Sequence, residues 1–334
     1  MLDVNRREFI ALVGGASTLL AAKVNRARGQ QPAVPVIGVL SAEWPDRFTD
    51  RLRAFHGGLR ETGYVDGRNL AIEYRWAEGR NDRLPALAAE LVRRQVSVIV
   101  TAGSTPAALA ARAATTTIPI VFYLGADPVD AGLVTSLSRP GGNVTGVVTL
   151  NVEVAPKRLE LLHELVPTAR IIAALINPTN PVLAETLTRD LQTAAHTLGV
   201  QLHILHASSE REFNTVFASL AQLRAEGLVI GADALFNSRS EHLAALTIQH
   251  AVPAIYQFRE FVSAGGLMSY GTTVADTYRP LGIYTGRILK GEKPAELAVQ
   301  QATRVELIIN MKTAKALGVT VPLPLIGRAD EVIE

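Results

Sequence analysis

From Val34 onward the chain alternates between short apolar runs rich in β-branched residues and longer stretches whose apolar positions recur at helical spacing. The first set of runs, Val34 to Leu40, Leu70 to Trp76, Val96 to Thr101, Ile118 to Leu124 and Val144 to Thr149, reads as strands. Between them, Arg47 to Thr62, Arg83 to Arg94, Thr105 to Ala114 and Val129 to Leu137 read as helices. Strands separated by helices of that length form right-handed βαβ units, so residues 34–149 predict a doubly wound parallel α/β lobe. The alternation then restarts. Residues 155 to 166, Val182 to Leu198 and Phe213 to Arg224 carry the helical pattern, and Arg170 to Ile176, Gln201 to His206, Gly227 to Ile230, Pro253 to Tyr256 and Gly266 to Tyr270 the strand pattern. Gly63, Gly199, Gly227 and Gly291 fall just past helical stretches, where a left-handed cap is wanted. The fold class predicted is α/β, with two doubly wound parallel-sheet lobes joined by a hinge of several strands and a ligand cleft between them. Lobe 1 is expected to comprise residues 34–149 plus about 275–298, and lobe 2 residues 150–274 plus about 299–334.

A chain of 334 residues, 48% of them hydrophobic, can bury cores for two such domains. Its formal charge is +2, but residues 1–29 alone carry a net +3, so the remainder stands at −1. A nearly neutral body has no basic stripe for phosphates, which argues against a nucleic-acid partner. The N-terminal excess has another meaning. Arg6-Arg7 precedes an uncharged run from Phe9 to Ala22, and Ala27 and Gly29 frame a cleavage site, the layout of a signal peptide spanning residues 1–29 with Gln30 as mature start. The run is short of the ~20 residues needed to span a bilayer. Asn5-Arg6-Arg7-Glu8-Phe9-Ile10 favours the twin-arginine route over an ordinary Sec signal. Cysteine is absent, so neither a disulfide nor a lipid-bearing cysteine is expected, and a soluble periplasmic protein follows.

In open parallel sheets ligands gather outside the carboxyl ends of the strands, so the residues just past each run are the candidates. Ser41 follows the first strand; Gly103, Ser104 and Thr105 follow the third, and Tyr123, Gly125 and Asp127 close the fourth. Asn177, Asp233, Phe236, Tyr256 and Tyr270 hold the corresponding places in the second half. With Thr105 as cap and Pro106 at the first helical position, Gly103 to Pro106 offers free amides and a helix dipole to a carboxylate. A capped helix with no ligand is the plainer reading of the same residues. Asp127 before Pro128 could equally be a helix cap. Asp233, directly after an apolar strand, suits an ammonium or hydroxyl. Tyr123, Phe236, Tyr256 and Tyr270 could enclose an apolar body or fill cores.

Catalytic signatures are missing: no G-x-S-x-G elbow, no phosphate-binding G-x-x-x-x-G-K-[ST] loop and no G-x-G-x-x-G after a strand occur. His203 and His206 lie three apart on one strand and so on opposite faces, which argues against a shared metal. No cofactor is expected. An exported hydrolase using Ser104 is the alternative, and it lacks a histidine near a strand end of the first lobe.

Several segments together resemble one family. They are the Arg6-Arg7-Glu8-Phe9-Ile10 signal, Gly103-Ser104-Thr105-Pro106-Ala107-Ala108, Asp127-Pro128-Val129 with Gly132-Leu133-Val134, and the tail from Asn310-Met311-Lys312 through Leu317-Gly318 to Arg328-Ala329-Asp330-Glu331-Val332-Ile333. The mature chain is similar to the ABC-transporter substrate-binding family related to tryptophan-type receptors, with the type I periplasmic-binding fold. The resemblance implies a non-enzymatic monomer that captures a small-molecule solute, an amino-acid-like or aromatic carboxylate, for an inner-membrane ABC permease. It also implies Ser104 and Thr105 as carboxylate holders, Tyr123 and Gly125 as contacts from lobe 1, and Asp233 as the partner of an amino group.

Overall fold

The computed structural model describes residues 34–45 and 48–334. The expected signal peptide lies outside the described residues.

Residues 36–149 alternate as β1 (Val36–Ser41), α1 (Thr49–Glu61), β2 (Ala71–Trp76), α2 (Leu84–Arg93), β3 (Val98–Ala102), α3 (Thr105–Ala114), β4 (Ile120–Leu124) and β5 (Val144–Thr149). The next stretch runs α4 (Ala155–Leu165), β6 (Ile171–Ile176), α5 (Pro181–Leu198), β7 (Gln201–His206), α6 (Phe213–Leu223), β8 (Gly227–Ile230), α7 (Ala234–Ser238), α8 (Ser240–Gln249), β9 (Ala254–Tyr256), α9 (Arg259–Ser263) and β10 (Met268–Gly271). It closes with α10 (Val274–Leu289), β11 (Gln300–Ala302), β12 (Glu306–Asn310), α11 (Met311–Ala316), α12 (Leu323–Ile326) and β13 (Glu331–Ile333). The strands form two sheets, ordered β11-β5-β4-β3-β1-β2 and β13-β12-β10-β9-β8-β6-β7. Both are covered on their two faces by helices, which is why β3, β4, β5 and β8 are buried along their whole length.

The first sheet is parallel throughout. The second is not, because β12 runs antiparallel to β10. β10 ends where the chain leaves the second sheet, and β12 starts where it returns from the first. Adjacent strands leaving and entering at the same end must run in opposite directions.

Three passages join the sheets, after β5, after β10 and after β11. The return segment α10 belongs with the first lobe. Tyr278, Leu281 and Ile288 enter the core around β1, β3 and β4, and Arg279 pairs with Glu61 of α1 at 2.6 Å. Because β11 pairs with β5, the third passage falls at residues 303–305 rather than near 299. The helix expected over Val129 to Leu137 is instead a loop. Asp127 Oδ1 accepts the amides of Val129 and Asp130 at 2.6 and 3.2 Å, and this single turn ends at Gly132. Past α6 the left-handed position is Arg224, with φ 53°, while Gly227 already opens β8.

Candidate functional site

The carboxyl ends of the two sheets face a common cavity. Gly103, Thr105, Tyr123 and Gly125 line it from the first lobe, Asn151 from the first passage, and Asn180, Leu183, Ala232, Asp233, Ala234, Asn237, Gln257 and Phe258 from the second. Its volume is about 30 Å³. A larger space of about 420 Å³ adjoins it between the amino end of α1 and helices α8 and α9, with Asn237 lining both.

On the first lobe's side, β3 turns into α3 through Gly103, whose φ of 75° suits glycine. Ser104 is the helix cap: its hydroxyl accepts the Ala107 amide at 3.3 Å, which puts Thr105 and Pro106 in the first turn, one place later than the sequence suggested. The amides that open α3 have no acceptor within the helix and carry the positive end of its dipole. Behind Gly103 stands a buried aromatic cluster. Tyr123 and Tyr278 meet edge to face at 5.2 Å, and Tyr278 meets Phe48 likewise at 5.6 Å. Burial pushes the Tyr123 hydroxyl well above the usual phenol range, although Thr149 hydrogen-bonds it. Next to this cluster Glu43, 1% exposed, forms a salt bridge with buried Arg51.

The second lobe presents acid and amide groups. Asp233 caps α7, and its Oδ1 accepts the Leu235 amide at 2.9 Å and the Asn177 Nδ2 at 2.8 Å. Burial nonetheless raises its carboxyl above the ordinary range. Gln257, 1% exposed, donates through Nε2 to Asn237 Oδ1, and its own Oε1 is buried without a donor. An unpaired buried acceptor in a cavity wall is costly, and it marks a place where a ligand donor would be welcome.

The structure therefore brings Gly103, Thr105, Tyr123, Gly125 and Asp233 to one cavity, and puts Ser104 and Asn177 in an adjoining crevice with Asp233. It does not bring the other five candidates there. Ser41 is buried, accepting the Glu43 amide at 3.1 Å. Asp127 is exposed and caps its own loop. Phe236 packs in the core of the second lobe against Phe213, 6.1 Å away. Tyr256 stacks on Phe261 at 4.6 Å and bonds Thr247 at 2.8 Å, so its ring fills the core and its hydroxyl is spent. Tyr270 packs against the opposite core, and its carbonyl accepts from Arg158. Several lining residues missed by the sequence lie within a few positions of a candidate. Gln257 follows Tyr256, and side-chain alternation turns it from core to cleft, while Phe258 lines the cavity and packs in the second lobe's core as well. Asn180 follows Asn177 by three positions and Asn237 follows Asp233 by four. Among the described residues no group of three or more His, Cys, Asp or Glu is placed to hold a metal ion, and no helix is long and apolar enough to cross a membrane.

Two α/β lobes with largely parallel sheets, joined by three passages and meeting over a cavity at their strand ends, define the type I periplasmic-binding fold. The chain belongs to the ABC transporter substrate binding protein family, whose match spans residues 39–333. This is a family of solute-binding proteins rather than enzymes. The tyrosine-binding protein of Clostridioides difficile (strain R20291) is 31% identical over 269 residues, covering 79% of this chain and 75% of that protein. An ABC domain from Streptococcus pneumonia in complex with L-Trp superposes with a TM-score of 0.81 at 26% identity, covering 90% of this chain and 100% of the other. A ligand-free, open substrate-binding protein with adhesive properties from Clostridium difficile, also 26% identical and covering 90% of this chain and 99% of its own, reaches a TM-score of 0.61.

Proposed function

We propose that the protein is the periplasmic receptor of an ABC importer, that its solute is an α-amino acid with an aromatic body, and that it delivers this solute to an inner-membrane permease. One observation carries the reading: the amino end of α3 and the Asp233 carboxylate face the same cavity from opposite lobes. The opening amides of α3 suit a carboxylate. Asp233 and the unpaired Gln257 Oε1 suit an ammonium, and Tyr123, Leu183 and Phe258 supply apolar surface around it. An α-amino acid presents those three features together. The tyrosine-binding relative and the neighbour in complex with L-Trp support the aromatic class.

Closure is part of the proposal. The two Clostridium and Streptococcus structures share the same identity to this chain yet superpose at 0.61 and 0.81, which supports a lobe arrangement here like that of the L-Trp complex. A cavity of about 30 Å³ has room for only a couple of waters. An amino acid enters only when the lobes part, and contacts from both sides then favour their closing again.

A thermal-shift panel tests the class. A solute at 100 times its dissociation constant stabilises the native state by about 2.7 kcal/mol. L-Tyrosine and L-tryptophan should raise the melting temperature, whereas 3-phenylpropionate, which lacks the ammonium, should do so weakly. Stabilisation by sugars or purines alone would remove the amino-acid reading.

A further inference from the structure

Two contacts bridge the lobes without lining the cavity. The first is Trp44, in the loop after β1, whose ring lies under the Arg239 guanidinium of the second lobe at 3.9 Å. The indole also packs against the second lobe's own core. Its seat is made by glycine: a Cβ on Gly79, which has φ 76°, would stand 2.3 Å from the indole. Gly79 is fixed in turn by its N–H, which donates to the Ala42 carbonyl at 2.7 Å. Arg239 is held from behind, where Nε donates to Glu210 at 2.6 Å and Glu210 also contacts His242 at 2.8 Å. Ring and cation are thus each positioned by their own lobe and meet across the gap.

The second contact joins Asn81 to Thr179. Asn81 Nδ2 reaches the Thr179 carbonyl at 3.3 Å and its hydroxyl at 3.2 Å. Thr179 donates through its amide and hydroxyl to Asn177 Oδ1 at 3.0 and 2.8 Å, and Asn177 donates to Asp233. A contact at the rim therefore bears on the orientation of the acid in the cavity wall.

We propose that Trp44–Arg239 and Asn81–Thr179 form a latch that holds the lobes closed, so that these four are positioning residues which raise affinity and slow release without touching the solute. Each contact exists only while the lobes are together, so its energy is differential between open and closed states, the condition for shifting that equilibrium. A partly desolvated cation–π contact is worth about a tenfold change in such an equilibrium. The latch stands on the two-lobe reading, but it does not require that the solute be an amino acid.

The absence of cysteine makes a direct test simple. Ala86→Cys on α2 and Glu185→Cys on α5, both exposed, take spin labels on opposite lobes, and pulsed dipolar spectroscopy reads their separation. Without added solute the wild type should show a short-distance population. Trp44→Ala and Asn81→Ala should each deplete it about tenfold or less, and Trp44→Phe should restore part of it. Where wild type binds L-tyrosine or L-tryptophan, the same variants should release the probe faster while association stays within about twofold. Unchanged distances in both alanine variants, or a solute-free wild type entirely at the long distance, overturns the latch. If neither amino acid binds the wild type, the ligand reading fails and the distances still decide the latch. Asn81 lies at the surface, so its variant remains informative should Trp44→Ala unfold.

Discussion

The two lobes bury charge in opposite ways. In the first, Glu43 and Arg51 are both buried and answer each other in a salt bridge. Burial alone would lower the Arg51 guanidinium, but the Glu43 carboxylate, joined by Tyr278 and Glu260, reverses this and holds it firmly protonated. In the second lobe a cation and an acid are buried without answering each other. Arg158, 0% exposed, donates to the carbonyls of Tyr270 and Asn151, and burial pushes it down to about 9. Among the described residues Asp233 is met by amides and no cation. A charge compensated inside its own lobe is structure. A carboxylate left uncompensated in a cavity wall keeps its electrostatic capacity for a ligand, whereas Arg158 ties the backbone of the first passage, at Asn151, to that of β10, at Tyr270.

The contrast predicts a large effect in the first lobe. Arg51→Met leaves the Glu43 carboxylate buried near Asp233 and Glu260, and breaking such a pair from one side costs about 3 kcal/mol or more. Removing both charges in Glu43→Gln/Arg51→Met should return most of that loss, since the cost lies in the orphaned partner. Urea unfolding of the three proteins measures it. Equal destabilisation by the single and double variants would mean that the pair does not compensate itself.

The second lobe should behave in the reverse sense. Asp233→Asn keeps the cap to Leu235 and removes an uncompensated charge, so the solute-free protein should become more stable at any pH where the wild-type carboxyl is ionised. Because the folded carboxyl lies above its unfolded value, the wild type takes up a proton on folding between those values. Its stability therefore falls as pH rises through that window, and the penalty is complete above it. The advantage of the variant should be full above the raised value and should fade as pH drops below it. Binding of L-tyrosine or L-tryptophan should weaken about 100-fold at pH 7, the scale of a lost charge-assisted hydrogen bond. A variant that binds as tightly as wild type would move the ammonium contact from Asp233 to Gln257.

How much of this was legible in the sequence depends on the range of the interaction. β5 was readable to the residue, because a fully buried strand is a short apolar run between turn signals. Asp233 and the Gly103 turn were found by one topological rule, that ligands meet the carboxyl ends of parallel strands. That rule picks the loop and not the side chain. At β9, only three residues long, it could not tell Tyr256, which faces the core, from Gln257, which faces the cleft. Glu43 and Arg51 lie eight positions apart, at no spacing that any local pattern marks. The antiparallel run of β12 was invisible for another reason. Its direction is set by the end of the sheet at which the chain returns, which no residue of the strand encodes.

The smallest predicted effect tests the first lobe's share of the solute. Ser104 spends its hydroxyl on the Ala107 amide, so it serves α3 as a cap and offers a ligand only its backbone. Ser104→Ala should therefore lower stability by about 1 kcal/mol, the usual cost of a lost cap. Solute affinity should change by less than about threefold, because the Ser104 and Thr105 amides and the helix dipole survive the substitution. Replacing Thr105 with proline instead would delete the Thr105 N–H while leaving proline in the first turn, where helices tolerate it. It should weaken binding of L-tyrosine or L-tryptophan about tenfold with little change in melting temperature. Isothermal titration of both variants separates the two roles. A large affinity loss in Ser104→Ala alone would make the hydroxyl the carboxylate's partner and would bring the first lobe's wall closer in kind to the side-chain chemistry of the second.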